Sequence, residues 1–328
     1  MKLKYYEIDE KKLLEEVEGK NVSIKLPDGL KPYATKLLNF LEENGKEAIF
    51  MADSCYGACD FIYTEDIEKT IFIGETEMPF LKKIYGNKIS FIEAKYNFNE
   101  EFLRNAFPFI KGKKIGLISI SPFIHKINDC KKFLEENGYK VFIGKRGRRT
   151  AYDGQILGCD FSPATSIADK TDEFLFIGDG FFHPVGLYMA TKKRVVCANP
   201  IDRRVYADEI KKIAEKIARQ RYANIAKAME AEKFGVIATQ KVGQKRLRLA
   251  KKLREFIKIK GKKAYLIILN EIDERINYLD FDCYVSTACP RVAIDDAERY
   301  KKPILTPIEL EILFEERKWE NYEFDQIL

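Results

Sequence analysis

A six-residue segment that occurs twice, "FLEENG", constrains the fold of this chain more than any other feature. It lies within "NFLEENGKEAIFMA" (39–52) and "KFLEENGYKVFIGK" (132–145), and "KLREFIKIKGKKAYLIIL" (252–269) is a weaker third copy. Each copy predicts a helix that ends at glycine, because glycine readily adopts the left-handed conformation of a helix terminus. The apolar run that follows predicts a buried parallel strand.

Further apolar segments recur around each copy and extend the repeat to about four strands with helices between them. The first strands are predicted within 21–30, 114–123 and 233–244, the third within 70–79, 173–184 and 282–290, and the fourth within 88–94, 194–200 and 302–307. Alternating strands and helices predict parallel sheets with right-handed crossovers. A chance set of unrelated α/β units is the alternative.

The predicted fold class is therefore α/β, with three repeated small parallel-sheet domains in a pseudo-threefold arrangement around a central site. The predicted domains are 1–100, 101–205 and 206–328, and a long helix over 208–233 leads the third. A chain of 328 residues is long enough for two or three domains.

Composition narrows the class of protein. No apolar run approaches the roughly 18 residues of a membrane span, and the start "MKLKYYEIDE" lacks the apolar region of a secretory signal. We therefore expect a soluble cytoplasmic protein. A net charge of +6 indicates a mildly basic surface rather than direct nucleic-acid binding.

The chain has seven cysteines and only two histidines. An odd number of cysteines in a cytoplasmic chain argues against a disulfide framework. Thiolates would have to dominate any transition-metal site, which favours iron–sulfur or zinc.

Three cysteines lie where parallel sheets place their ligand sites, in loops at the carboxyl ends of strands. Cys59 and Cys159 follow the second strands of the first two repeats, and Cys289 follows the third strand of the last. Three distant thiolates suit a four-iron cluster with one open iron, whereas zinc favours closely spaced cysteine pairs. From the residues alone, a cluster and three unrelated free cysteines remain equally open.

The other four cysteines have different surroundings. Cys197 and Cys283 lie in apolar strands and Cys130 in a helix, so we expect them in the core. Cys55 is ambiguous, because its spacing of four from Cys59 resembles half of a radical-enzyme cysteine triplet whose third cysteine is missing.

Five motifs in order resemble the archaeal diphthamide biosynthesis enzymes, the radical 2-(3-amino-3-carboxypropyl)histidine synthases. They are "LPDGL" (26–30), "DSCYGACD" (53–60), "DGQILGCD" (153–160), "KVGQKR" (241–246) and "STACPR" (286–291). The resemblance covers essentially the whole chain. It implies three homologous α/β domains around one 4Fe-4S cluster, held by Cys59, Cys159 and Cys289.

The resemblance also implies the reaction and the partners. These enzymes cleave S-adenosylmethionine by radical chemistry and move its 3-amino-3-carboxypropyl group to C2 of a histidine in translation elongation factor 2. They work as homodimers and need an external electron donor. One departure is the segment Gly74, Glu75 and Thr76, where related enzymes often carry histidine.

Strand-end loops supply the predicted S-adenosylmethionine contacts, with simple turn chemistry as the alternative. They are Asp28, Gly29, Gln155, Gly243 and Gln244. No catalytic side chain is predicted beyond the cluster. Capping or solvation is expected for Asp60 and Asp160, and a structural role for His125 and His183.

The densest basic segment is the loop 145–149, just before Cys159. Its arginines, Arg146, Arg148 and Arg149, either form a solvated loop or meet an acidic face of the protein substrate.

Two other functions stay open. Quinolinate synthase also combines three α/β repeats with three cysteines, but it is a dehydrating condensation enzyme. A non-enzymatic binding protein of the translation machinery with buried cysteines is the second alternative.

Overall fold

Three parallel sheets follow one another along the chain in the computed structural model, which describes residues 1–294 and 299–328. In each sheet the strands lie side by side in the order second, first, third, fourth of that repeat. The α/β fold with repeated parallel sheets is therefore confirmed, and the identical strand order argues against unrelated units.

The first third of the chain forms a four-stranded parallel sheet, β4-β3-β5-β6, beside a small antiparallel sheet, β1-β2-β7. The strands are β1 (Lys2–Leu3), β2 (Tyr6–Ile8), β3 (Val22–Lys25), β4 (Ile49–Met51), β5 (Lys69–Ile73), β6 (Ile89–Ile92) and β7 (Ala94–Lys95). The helices are α1 (Glu10–Glu16), α2 (Ala34–Glu43) and α3 (Pro79–Tyr85).

The middle third forms a five-stranded sheet, β12-β11-β10-β8-β9, in which only the edge strand β12 is antiparallel. The strands are β8 (Lys114–Ser119), β9 (Lys140–Phe142), β10 (Glu173–Ile177), β11 (Val195–Ala198) and β12 (Val205–Tyr206). The helices are α4 (Ile127–Glu136), α5 (Ser162–Thr165) and α6 (Phe182–Thr191).

The last third begins with the long helix α7 (Asp208–Ala228) and forms the parallel sheet β14-β13-β15-β16. The strands are β13 (Lys233–Ala238), β14 (Lys263–Ile268), β15 (Cys283–Ser286) and β16 (Ile304–Leu305). The other helices are α8 (Leu247–Ile259), α9 (Pro290–Ile294) and α10 (Pro307–Leu313).

The helix–glycine–strand unit is present three times. Gly45, Gly138 and Gly261 follow α2, α4 and α8, and their φ angles are +70°, +84° and +80°. A side chain is strained at such angles, so glycine ends each helix and lets the chain turn into the next strand.

The predicted boundaries at 100/101 and 205/206 stay a prediction, as does the pseudo-threefold arrangement. The strands of each parallel sheet fall within one predicted range, except that β12 spans the second boundary. Each sheet also carries its own buried apolar cluster. Within the described residues, no helix is long and apolar enough to cross a membrane.

Candidate functional site

One cavity brings together the three cysteines that the strand-end argument singled out. Cys59, Cys159 and Cys289 follow β4, β9 and β15, and all three line a cavity of about 360 Å³. The fold therefore gathers one thiol from each third of the chain, from residues 100 and 130 positions apart.

Burial disfavours the thiolate form of all three cysteines, because it raises their pKa values. It raises the pKa of Cys59 well above the ordinary value, and the charges of Asp60, Cys159 and Cys289 add to the effect. Burial likewise raises the pKa of Cys159, and it raises that of Cys289 to about 12. Positive charge from a bound metal centre would favour the thiolate form of all three against this effect of burial.

Hydrogen-bond donors approach two of the sulfurs. Gln244 Nε2 lies 3.4 Å from Cys59 Sγ, and Arg149 Nη2 lies 3.9 Å from Cys159 Sγ. Donors to sulfur stabilise negative charge on a thiolate and tune the potential of an iron–sulfur centre.

The segment around Cys59 is fixed by a buried ion pair. Asp60 accepts hydrogen bonds from the Tyr56 backbone N–H and from Gln244 Nε2, both at 2.6 Å, and pairs with Lys241 at 3.1 Å. Asp60 is therefore a buried structural anchor rather than a solvated or simple capping residue. Asp160 does cap its turn, since it accepts the Ser162 N–H at 2.9 Å.

Gly243 packs directly against the backbone of Cys59. A Cβ atom at position 243 would lie 2.4 Å from Cys59 Cα and 2.8 Å from Cys59 O. Only glycine fits between these two loops, which come from the first and last thirds of the chain. The close approach therefore fixes where Cys59 meets the cavity.

We expect Gly243→Ala to displace Cys59, to lower the bound iron after reconstitution and to cost about 1–3 kcal/mol of unfolding free energy. Gly29→Ala is the matched control, because a Cβ at Gly29 meets nothing within 4 Å although Gly29 lines the cavity. Iron analysis and urea unfolding measure both effects. Equal iron content in the two variants would show that the close packing is not required.

The arginines of the basic loop 145–149 differ in their exposure to solvent. Arg146 and Arg148 are exposed, whereas Arg149 is buried, donates to Gly243 O at 2.7 Å and stacks over Phe80. Both alternatives predicted for the loop, solvation or contact with an acidic partner, need exposed arginines, so both are wrong for Arg149. Its guanidinium group reaches both Gly243 O and Cys159 Sγ, where its positive charge favours the Cys159 thiolate.

The cavity also contains ionisable side chains to which the sequence assigned no role in the site, Glu75 and His183. Burial raises the pKa of Glu75 to about 8, with Asp60 adding to the shift. Burial lowers the pKa of His183 to about 4, with Arg291 adding to it. His183 was expected to be structural, but it lines the cavity together with Arg291 and Cys289. Its position at the start of α6, after β10, is the signal that would have indicated this.

The predicted S-adenosylmethionine contacts divide into two groups. Gly29 and Gln155 line the cavity, whereas Asp28, Gly243 and Gln244 are absent from its lining. Asp28 instead pairs with Lys31 at 2.7 Å and accepts the Cys55 N–H.

Gly243 and Gln244 contact Cys59 from outside the cavity lining. In place of the predicted contact with substrate, the structure shows both residues in contact with Cys59. Even Gln155 uses its amide within the protein. Its Oε1 accepts the Ala151 N–H, and its Nε2 donates to Thr76 Oγ1 at 2.6 Å.

The remaining cysteines lie outside the cavity lining. Cys130, Cys197 and Cys283 are at most 1 % exposed in α4, β11 and β15, as predicted for core residues. Cys55 is also buried, packs among apolar side chains such as Phe61 and Phe72, and directs its sulfur toward Gly57 O.

The three thiols suit a cluster better than a single ion. Within residues 1–294 and 299–328, no group of three or more His, Cys, Asp or Glu side chains is arranged to hold one metal ion. A single zinc draws four ligands to about 2.0–2.3 Å, whereas a cluster distributes thiolates over separate irons. Three thiols around a shared cavity would suit the second case, and a four-iron cluster held in this way would leave one iron without a protein ligand.

Comparison with known proteins points the same way. Residues 26–324 match the family described as "Putative diphthamide synthesis protein". The chain is 38% identical to the 2-(3-amino-3-carboxypropyl)histidine synthase of Pyrococcus horikoshii, over 98% of this chain and 94% of that one. It is 27% identical to the synthase of the same name from Methanocaldococcus jannaschii, over 98% and 93%.

A solved structure shares the fold. The crystal structure of Dph2 from Pyrococcus horikoshii with a 4Fe-4S cluster superposes with a TM-score of 0.86 at 36% identity, covering 98% of this chain and 94% of that one. That enzyme therefore holds a 4Fe-4S cluster in its crystal structure.

Proposed function

This chain belongs to the family of diphthamide synthesis proteins, and from that premise we propose that it is a 2-(3-amino-3-carboxypropyl)histidine synthase. It transfers the 3-amino-3-carboxypropyl group of S-adenosylmethionine to C2 of a histidine in translation elongation factor 2, the first step of diphthamide synthesis. Methylthioadenosine is the other product. The observation that carries the proposal is the shared cavity of Cys59, Cys159 and Cys289.

These three cysteines are the proposed ligands of a 4Fe-4S cluster. When bound, the cluster supplies the single electron that breaks the bond between the sulfur and the γ-carbon of S-adenosylmethionine. The protein contributes N–H donors from Gln244 and Arg149, which stabilise negative charge on two of the thiolates.

The cavity itself orients the substrate and excludes water. Apolar walls from Leu30, Met78, Ile120 and Phe182 surround the space beside the thiols. Such walls keep water and oxygen away from reactive species, and they strengthen the few polar contacts inside.

S-adenosylmethionine contacts are proposed on the same lining. Gly29 and Gln155 remain from the sequence prediction, Gly29 offering its backbone for close approach. We add Glu75, whose carboxyl group faces the same space as Cys59 and can accept hydrogen bonds from the ammonium group of the methionine part. The positive charge of that ammonium group would oppose the burial that raises the pKa of Glu75.

The partners follow from the reaction. Elongation factor 2 is the protein substrate, and an external carrier must supply the electron that reduces the cluster before the bond in S-adenosylmethionine breaks. The transfer as a whole is redox-neutral, because the imidazole adduct loses one electron and one proton as it regains aromaticity, and that electron would return to the cluster or pass to an acceptor. By resemblance to the archaeal enzymes, we propose a homodimer that works in the cytoplasm.

The test uses anaerobically purified protein with a reconstituted cluster. With S-adenosylmethionine, dithionite and elongation factor 2, we expect methylthioadenosine in a 1:1 ratio to modified factor, measured by chromatography and mass spectrometry. A quinolinate synthase-like enzyme would release no methylthioadenosine. A binding protein would stay colourless and free of iron, and either result contradicts the proposal.

A further inference from the structure

A second cavity, of about 280 Å³, lies behind the loops that carry Cys59 and Cys159. We call it the basic cavity, and its lining residues are Phe80, Arg148, Arg149, Val242, Gly243, Lys245, Arg246, Gln326, Ile327 and Leu328. Four of these ten are Arg or Lys. The basic cavity shares no lining residue with the cavity of the three thiols.

Three of its residues contact the cysteine residues directly. Gly243 packs on the backbone of Cys59, Arg149 Nη2 lies 3.9 Å from Cys159 Sγ, and Ile327 N donates to Cys159 O at 2.8 Å. The wall between the basic cavity and two of the three cysteines is thus one residue thick. Electron transfer slows steeply with the thickness of protein crossed, so this is a short route for an electron.

The positive charge inside the basic cavity is partly neutralised by an ion pair, whereas the positive charges at its rim are exposed to solvent. Arg246 pairs with Asp325 at 2.6 Å, whereas Arg148 and Lys245 are exposed at the rim. Arg149 is 6 % exposed, and within the described structure its Nε atom has no hydrogen-bond partner. A positive rim of this kind attracts acidic proteins and raises their association rate.

We propose that the basic cavity is the docking site of an acidic one-electron carrier protein that reduces the cluster. The inference rests on the proposed function. In each encounter the reduced carrier loses one electron and the oxidised cluster gains it, with no bond made or broken. Elongation factor 2 has to present its histidine at the separate thiol cavity, so both proteins reach the centre without competing for one surface.

The experiment follows cluster reduction by anaerobic rapid freeze-quench Mössbauer spectroscopy, with ⁵⁷Fe only in this protein's cluster and a reduced, acidic low-potential ferredoxin as the probe. The variant is Arg148→Glu/Lys245→Glu, and the control is Lys11→Glu, whose side chain is 88% exposed on α1. We expect reduction by ferredoxin to slow at least about tenfold in the double variant only. Added salt should slow the wild type and affect the variant less.

Reduction by dithionite, iron content and thermal midpoint should stay close to the wild-type values, which shows that fold and cluster are intact. The single variant Lys245→Glu repeats the test with a smaller change of charge. An unchanged ferredoxin rate in both variants overturns the proposal. So does weaker binding of elongation factor 2 with an unchanged ferredoxin rate, which would assign the surface to the protein substrate.

Failure of the proposed function gives a different signature. In that case, the dithionite-driven wild type forms no methylthioadenosine, while the reduction rates remain measurable.

Discussion

Replacing Cys59, Cys159 or Cys289 singly with alanine should remove nearly all methylthioadenosine formation and most of the bound iron. Each sulfur lines the same cavity, and two remaining thiols leave two irons without a protein ligand. The loss should exceed the roughly 10- to 100-fold that removal of an outer-shell partner costs at metal sites. Iron and sulfide analysis, with absorbance near 400 nm, measures the cluster directly.

The matched control for the cysteine series is Cys55→Ala. Cys55 is only four residues from Cys59, is 1 % exposed, and has its sulfur among apolar side chains outside the cavity lining. This variant should keep its iron and its activity. Retained iron in all three ligand variants, or lost iron in the control, would contradict the proposed ligand set.

Arg221→Met should give the largest loss of stability, about 3–5 kcal/mol of unfolding free energy. Arg221 in α7 is 1 % exposed and binds both carboxylate oxygens of Glu309 in α10, at 2.7 and 2.5 Å. It also donates to the backbone carbonyls of Ala293 and Ile304. The variant leaves the Glu309 carboxylate buried without its cation. An uncompensated buried charge is the main reason why removing one partner of a buried ion pair lowers stability.

Arg219→Met provides the comparison, because Arg219 lies on the same helix but is exposed. Its effect should stay within about 0.5 kcal/mol. Urea unfolding followed by circular dichroism, at equal cluster loading, measures both variants. Similar midpoints for the two would show that the buried pair contributes little.

The sequence predicted the features that depend on local pattern. The three helix–glycine–strand units appear as α2–β4, α4–β9 and α8–β14, because apolar runs and glycine stops act within a few residues. The position of the three cysteines was predictable for the same reason, since strand ends can be placed from the runs themselves.

Contacts between distant segments were not predictable from one sequence. Gln244 was expected at the substrate but turns toward Cys59, 185 residues away. The burial of Arg149 against Gly243 and the pairing of Arg221 with Glu309 likewise join residues 88 or more positions apart. Neither has a local signature, because an arginine in a loop or on a helix is usually exposed.

The three thiols do not come from equivalent places in their repeats. Cys59 and Cys159 follow the second strand of their sheets, but Cys289 follows the third strand of its own, β15. A chimera built from three identical copies of the first repeat would keep the strand order and still misplace one sulfur. The thirds of this enzyme are alike as scaffolds, yet they cannot be interchanged as parts.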